Sequence, residues 1–142
     1  MPGLLRSARA VGWFPLALLL LLLAPTAVRA ESWIEEGTAV LKGLDKVTAR
    51  ISTIEDNVGQ VARFGTLEIT VRACRKHPPE DPPEAAAFLE IREKAAGEAP
   101  KLLFSGWMFA SSPALSALEH PVYDLWVVDC KNPKSAESGK SG

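Results

Sequence analysis

Two cysteines, Cys74 and Cys130, and two histidines, His77 and His120, are the only residues of their kinds in this 142-residue chain. Chemistry is sought first among these four and the serines and carboxylates around them. Serine hydrolysis needs a nucleophile, a base and a group that orients the base. Ser105, Ser111, Ser112 and Ser116 share a region with His120, but no G-x-S-x-G frame surrounds any of them. Cys74-Arg-Lys-His77 resembles a metal corner. A zinc site takes three or four ligands, and few others are at hand. The C-x-x-C-H haem signature is absent, so no cofactor is expected. Glu119, Asp124 and Asp129 lie close in sequence to Trp107, Tyr123 and Trp126. Acids among aromatics are the ingredients of sugar-processing sites, whereas lone acids flanking strands are usually solvated.

A binding surface is the other use for such residues. Arg50, Arg63, Arg72, Arg75 and Lys76 form a local basic excess, and Arg50 and Arg72 fall on the polar faces of their strands. Arg50, Arg72 and Arg75, with Trp107, Tyr123 and Trp126, are the candidate surface. The competing reading makes the arginines an ordinary solvated face and the aromatics core.

Where the protein works is written at its N-terminus. Residues 1–12 carry only Arg6 and Arg9 as charges. An apolar run of 12 residues follows, Trp13 to Ala24, and then Pro25-Thr-Ala-Val-Arg-Ala30 before the charged Glu31. A basic start, a short apolar stretch and small residues at a cut site make a secretory signal, with cleavage expected between Ala30 and Glu31. A spanning helix needs roughly 20 apolar residues, so an uncleaved anchor is disfavoured and no spanning segment is expected afterwards. The mature chain then holds 13 basic and 17 acidic residues, a net of −4. That balance argues against nucleic acid as a partner. Outside the cytoplasm a lone cysteine pair is most simply a disulfide, Cys74–Cys130, and redox pairs usually stand closer, as C-x-x-C.

The elements that must position these residues read mostly as strands. Residues 31–38 look like an exposed leader anchored by Trp33 or Ile34. Val47, Ala49 and Ile51 alternate with Thr48, Arg50 and Ser52, a period of two, and 55–59 reads as a turn. Val61–Phe64 predicts a short strand. Thr66–Cys74 is the clearest strand, with Leu67, Ile69, Val71 and Ala73 on the apolar face and Cys74 on the polar one. His77-Pro-Pro-Glu-Asp-Pro-Pro-Glu84 is a rigid loop, a spacer rather than a partner ligand. Residues 86–93 suit an edge strand or a short helix, and the alternation favours the strand. Lys101–Ala110 predicts a buried strand. Ser112-Pro113 predicts a helix start, with Ala114–Glu119 as one or two turns. Val122–Cys130, apolar on both faces at its centre, predicts a strand central in its sheet or sandwiched in a core. From 132 to 142 almost nothing can be buried, so a disordered tail is expected. These elements imply an all-β fold over 39–131, a small antiparallel sandwich or partly open barrel of six to eight strands with one short helix.

Three blocks taken together are more specific than any single motif: Gly43-Leu-Asp-Lys-Val-Thr-Ala-Arg50, Phe64 to Arg75 with its Pro-Pro-Glu loop, and Phe104 to Cys130. Over about residues 39–131 they resemble the alphaproteobacterial exported family catalogued as domain of unknown function 2155. The resemblance implies a Gram-negative periplasm and brings no activity, substrate or catalytic residue. The expectation is a non-enzymatic periplasmic domain that binds a protein or envelope partner. The alternative is a small enzyme acting on cell-wall glycan or peptide through Asp124 and Glu119.

Overall fold

A computed structural model describes residues 25–133 together with Gly3. Residues 1–30 and 31–142 form two separate units, and the fold described is that of the second. Most of the signal-like segment and residues 134–142 of the expected tail lie outside the described residues.

Among the described residues eight strands make the domain: β1 (Ile34–Glu36), β2 (Thr38–Asp45), β3 (Arg50–Asn57), β4 (Val61–Phe64), β5 (Leu67–Lys76), β6 (Ala85–Glu93), β7 (Lys101–Phe109) and β8 (Tyr123–Lys131). All pairings are antiparallel. A five-stranded sheet runs β1-β5-β6-β7, with β4 also on β5; a three-stranded sheet runs β3-β2-β8. β4 occupies the Leu67–Thr70 stretch of β5 and β1 the Cys74–Lys76 stretch. The sheets do not close into a barrel. They pack as a sandwich over Leu67, Ile69, Val71, Leu89, Ile91 and Met108 from one side and Ala39, Leu41, Leu125 and Val127 from the other. Each such aliphatic side chain stabilises the fold by about 1.5–3 kcal/mol when fully buried.

The strand class follows from period-two alternation, but the structure corrects several details. Residues 46–49 are a turn: the Asp45 carboxylate accepts the N–H groups of Val47 (2.9 Å) and Thr48 (3.1 Å), and Ala49 sits at φ 56°. Val47 and Ile51 are therefore exposed rather than core. β3 continues to Asn57, through most of the expected turn. Residues 31–38, expected as a leader, contain β1 and the buried start of β2. Trp33 is the anchor, packed on His77 with ring centroids 4.2 Å apart.

A register shift between Val71 and Ala73 changes which side chains face inward. Cys74, on the polar face by simple alternation, becomes fully buried. The inserted residue lets Cys74 of the larger sheet meet Cys130 of the smaller, Cα–Cα 5.7 Å, at disulfide distance. The Pro-rich loop is the connection of the β5–β6 hairpin, closed by His77 N–H donating to Glu84 O (3.0 Å).

Edge and centre are also redistributed. β6, expected at an edge, lies between β5 and β7; β7, expected buried, ends its sheet; β8, expected central or sandwiched in a core, ends the smaller sheet with Leu125 and Val127 buried in the core. No helix forms over 112–119, where turns and bends run instead. Six residues before His120-Pro121 cannot offset the cost of helix nucleation. The loop is held by tertiary contacts. Leu118 is buried in the core. The Nδ1 of His120 accepts N–H groups of Val122 (3.0 Å) and Tyr123 (3.1 Å), and its Nε2 meets Glu93.

Candidate functional site

The outer face of the five-stranded sheet carries an aromatic slot. Cross-strand register sets Glu35, Arg75, Ala86 and Phe109 in one row over β1, β5, β6 and β7. Ala73, Phe88 and Trp107 form the next row. Trp33, Arg75, Ala86, Trp107 and Phe109 line an open slot of about 190 Å³. Ala86 is its floor. Its neighbours Ala85 and Ala87 turn to the core, so only a small residue between the aromatic walls leaves the slot open. The Arg75 guanidinium lies 5.3 Å from the Trp107 ring centroid and its Nε meets the Glu35 carboxylate. Phe88 braces Trp107 edge to face, centroids 5.6 Å apart. On the other side His77 supports Trp33; its Nδ1 donates to Pro82 O (2.8 Å), and its Nε2 is buried without a partner. A slot with aromatic walls and one cation over a ring suits flat or apolar groups carried by a partner.

A second groove, about 440 Å³, runs beside the Pro-rich loop between His77, Glu84, Ser111 and Asp129. Burial raises the Glu84 carboxyl, but hydrogen bonds from the Ser111 hydroxyl, Ser111 N–H (3.1 Å) and Ala85 N–H (2.9 Å), with the His77 charge, outweigh it and hold the group below its ordinary range. Ser111 is thus a donor to a stabilised carboxylate, which is a poor general base.

Of the residues named from sequence, the structure brings Arg75 and Trp107 together. Arg72 is paired with Glu90 (3.1 Å), and this partner draws the Glu90 carboxyl down. Arg63 pairs with Glu68 (2.9 Å) and Lys76 with Glu36 (3.5 Å), so the basic excess is balanced across strands. Arg50 stands on β3 of the other sheet. Tyr123 packs on Phe64 (5.3 Å) and His120 (5.0 Å). Trp126 lies opposite Lys42 on the smaller sheet and lines a third groove with Asp124, Pro113, Ala117, Leu118 and Leu125. Glu119 is not among its walls, and Asp124 is paired with Lys46 (3.1 Å). No group of three or more His, Cys, Asp or Glu among the described residues is placed to hold a metal ion.

The slot residues not assigned to a binding surface from sequence are Trp33 and Ala86, with Glu35 and Phe88 supporting Arg75 and Trp107 from beside it. Phe109 is among the C-terminal aromatics that could rim a groove. The alternation of Ala86 with Phe88 and of Trp107 with Phe109 places each pair on one face of its strand. Only the strand order makes those faces adjacent.

Residues 39–130 match the model of a protein family described as an uncharacterized protein conserved in bacteria, domain of unknown function 2155. The chain belongs to this family. A relative, the uncharacterized protein RP359 of Rickettsia prowazekii (strain Madrid E), is 36% identical over 87 residues, which are 61% of this chain and 56% of that protein. The chain thus matches little more than half the length of this relative. No solved structure matches. The matched stretch includes both cysteines and every residue lining the slot except Trp33. No helix among the described residues is long and apolar enough to cross a membrane.

Proposed function

We propose that this bacterial domain is exported to the periplasm and acts there as a non-enzymatic binding domain for a protein or envelope component, through the slot between Trp33 and Trp107. The observation that carries the binding reading is the slot itself: aromatic walls, an alanine floor and Arg75 held over Trp107 at 5.3 Å. Aromatic and arginine side chains dominate the energetics of protein interfaces. Export is supported by the basic, apolar and small-residue order of residues 1–30 and by the Cys74–Cys130 spacing, since disulfides persist outside the cytoplasm.

The test has two arms. The protein recovered from the periplasm is expected to begin at Glu31; a chain retained in the cytoplasm with residues 1–30 attached would end the export reading. A photo-crosslinking residue at Phe109 is expected to give a discrete adduct in cells. Trp107→Ala combined with Arg75→Ala should abolish that adduct while leaving the unfolding midpoint within a few degrees. An adduct unchanged by the double substitution would overturn the slot as the contact surface.

A further inference from the structure

We infer that the free edge of β7 is a self-association seam, on which a second copy of this chain adds its own β7 antiparallel about a two-fold axis at Trp107. This goes beyond the binding reading and does not depend on it. β7 is the terminal strand of its sheet. Ala110 N–H donates to Ala85 O (2.8 Å). With the register Ala86↔Phe109, Phe88↔Trp107 and Glu90↔Ser105, this makes Ser105, Trp107 and Phe109 the residues whose backbone groups point away from β6. Among the described residues only one such group is engaged by a backbone contact, Phe109 O, which accepts Ser112 N–H at 3.2 Å.

Charge selects a second copy as the occupant. Leu102–Phe109 is eight residues without charge or proline, whereas each of the other strands carries at least one charged side chain between its terminal residues. A domain of net −4 repels itself wherever charged faces meet, and this edge is where it does not. Edge strands ordinarily carry lysine, proline or a bulge against such pairing. Here Lys101 and a register shift between Ile91 and Arg92 guard only the N-terminal end, leaving Phe104–Phe109 open. About a dyad at Trp107 the outward set is self-complementary. Trp107 faces its own copy, and Ser105 faces Phe109, giving roughly six backbone hydrogen bonds.

The exported protein, Glu31–Gly142, is examined by light scattering at high micromolar concentration. A dimer is expected. Ser105→Pro should return it to a monomer, because the Ser105 N–H points away from β6 and its loss removes no bond within the monomer. Ser105→Lys, which places like charges near the seam, should do the same, and near-ultraviolet circular dichroism checks that each variant is folded. Trp107→Cys should crosslink to a covalent dimer, since directly opposed hydrogen-bonded residues sit about 5.5 Å apart at Cα. Ser105→Cys alone should not crosslink, because it faces Phe109. A monomeric wild type, or a dimer indifferent to both Ser105 substitutions, would overturn the seam. Crosslinking through Ser105→Cys instead of Trp107→Cys would overturn the register.

Discussion

Replacing Cys74 and Cys130 with alanine tests the link between the inward turn of Cys74 and the stability of the sandwich. The two residues are 56 apart in sequence and fully buried, and they join β5 of one sheet to β8 of the other. On the loop-entropy relation, a crosslink closing that span removes about 14 cal/mol/K from the unfolded chain, or about 4 kcal/mol at 25 °C. For a domain of this size, 1 kcal/mol corresponds to roughly 4 °C in midpoint, so the loss should be on the order of 15 °C. The variant also empties two buried sulfur positions. Wild type in reductant keeps the sulfur atoms and loses only the crosslink, so comparing the two separates the loop contribution from the cavity. The assay is urea unfolding of oxidised wild type, reduced wild type and the double alanine variant. Oxidised and reduced wild type should differ by about 3–4 kcal/mol, with the double variant lower still. A difference under about 1 kcal/mol between oxidised and reduced protein would refute the crosslink as the main constraint on the unfolded chain. Two alkylatable thiols in the exported protein would remove its premise.

Other perturbations follow from the same geometry. Asp56 is 5% exposed and one of its carboxylate oxygens has no partner. Burial raises its carboxyl above the ordinary 3.8 despite hydrogen bonds from the Ala62 and Asn57 backbone. The folded state therefore holds this proton more tightly than the unfolded one, and stability falls as pH rises from 3.8 through the raised value. Asp56→Asn should accordingly stabilise the domain at pH 7 and make little difference below pH 3.8, as read by denaturant unfolding at both. Gly65 sits at φ 56° and an added Cβ would land on the Tyr123 hydroxyl. Gly65→Ala should cost about 2–3 kcal/mol from backbone strain and a displaced Tyr123–Phe64 contact. Gly59→Ala, at φ 87° with open space around it, should cost only about 1 kcal/mol. His120→Ala should cost about 2–3 kcal/mol, because it leaves the Val122 and Tyr123 N–H groups and Glu93 without their partner. Thermal unfolding of the three variants checks the ranking, and equal costs at Gly65 and Gly59 would remove the Tyr123 argument.

The period-two alternation of residues 66–74 was enough to specify a strand, because a half-buried strand must put every second side chain in the core. Over 86–93 the same alternation only favoured strand over short helix, and the structure has the strand. The short strand Val61–Phe64 and the Pro-rich connection were also legible, the latter through its missing donors. The candidate surface was legible only in part. Arg75 and Trp107 could be named, but their contact depends on β5, β6 and β7 being neighbours. Arg50 was set beside Arg72 because both lie on polar faces, a criterion that does not say which sheet a face belongs to.

The sequence by itself determined the all-β class, the family and the cysteine pairing, since these rest on local alternation, on residue blocks and on there being only two cysteines to join. Tertiary structure alone decided edge against centre. An apolar strand can be buried by neighbours on either side or end a sheet beneath a loop, and its composition is the same in both cases; so β7 and β8 proved to be edges and β6 the centre. It also decided the inward turn of Cys74. One inserted residue between Val71 and Ala73 reverses the faces of a strand, and the partner strand that fixes that register is remote in sequence.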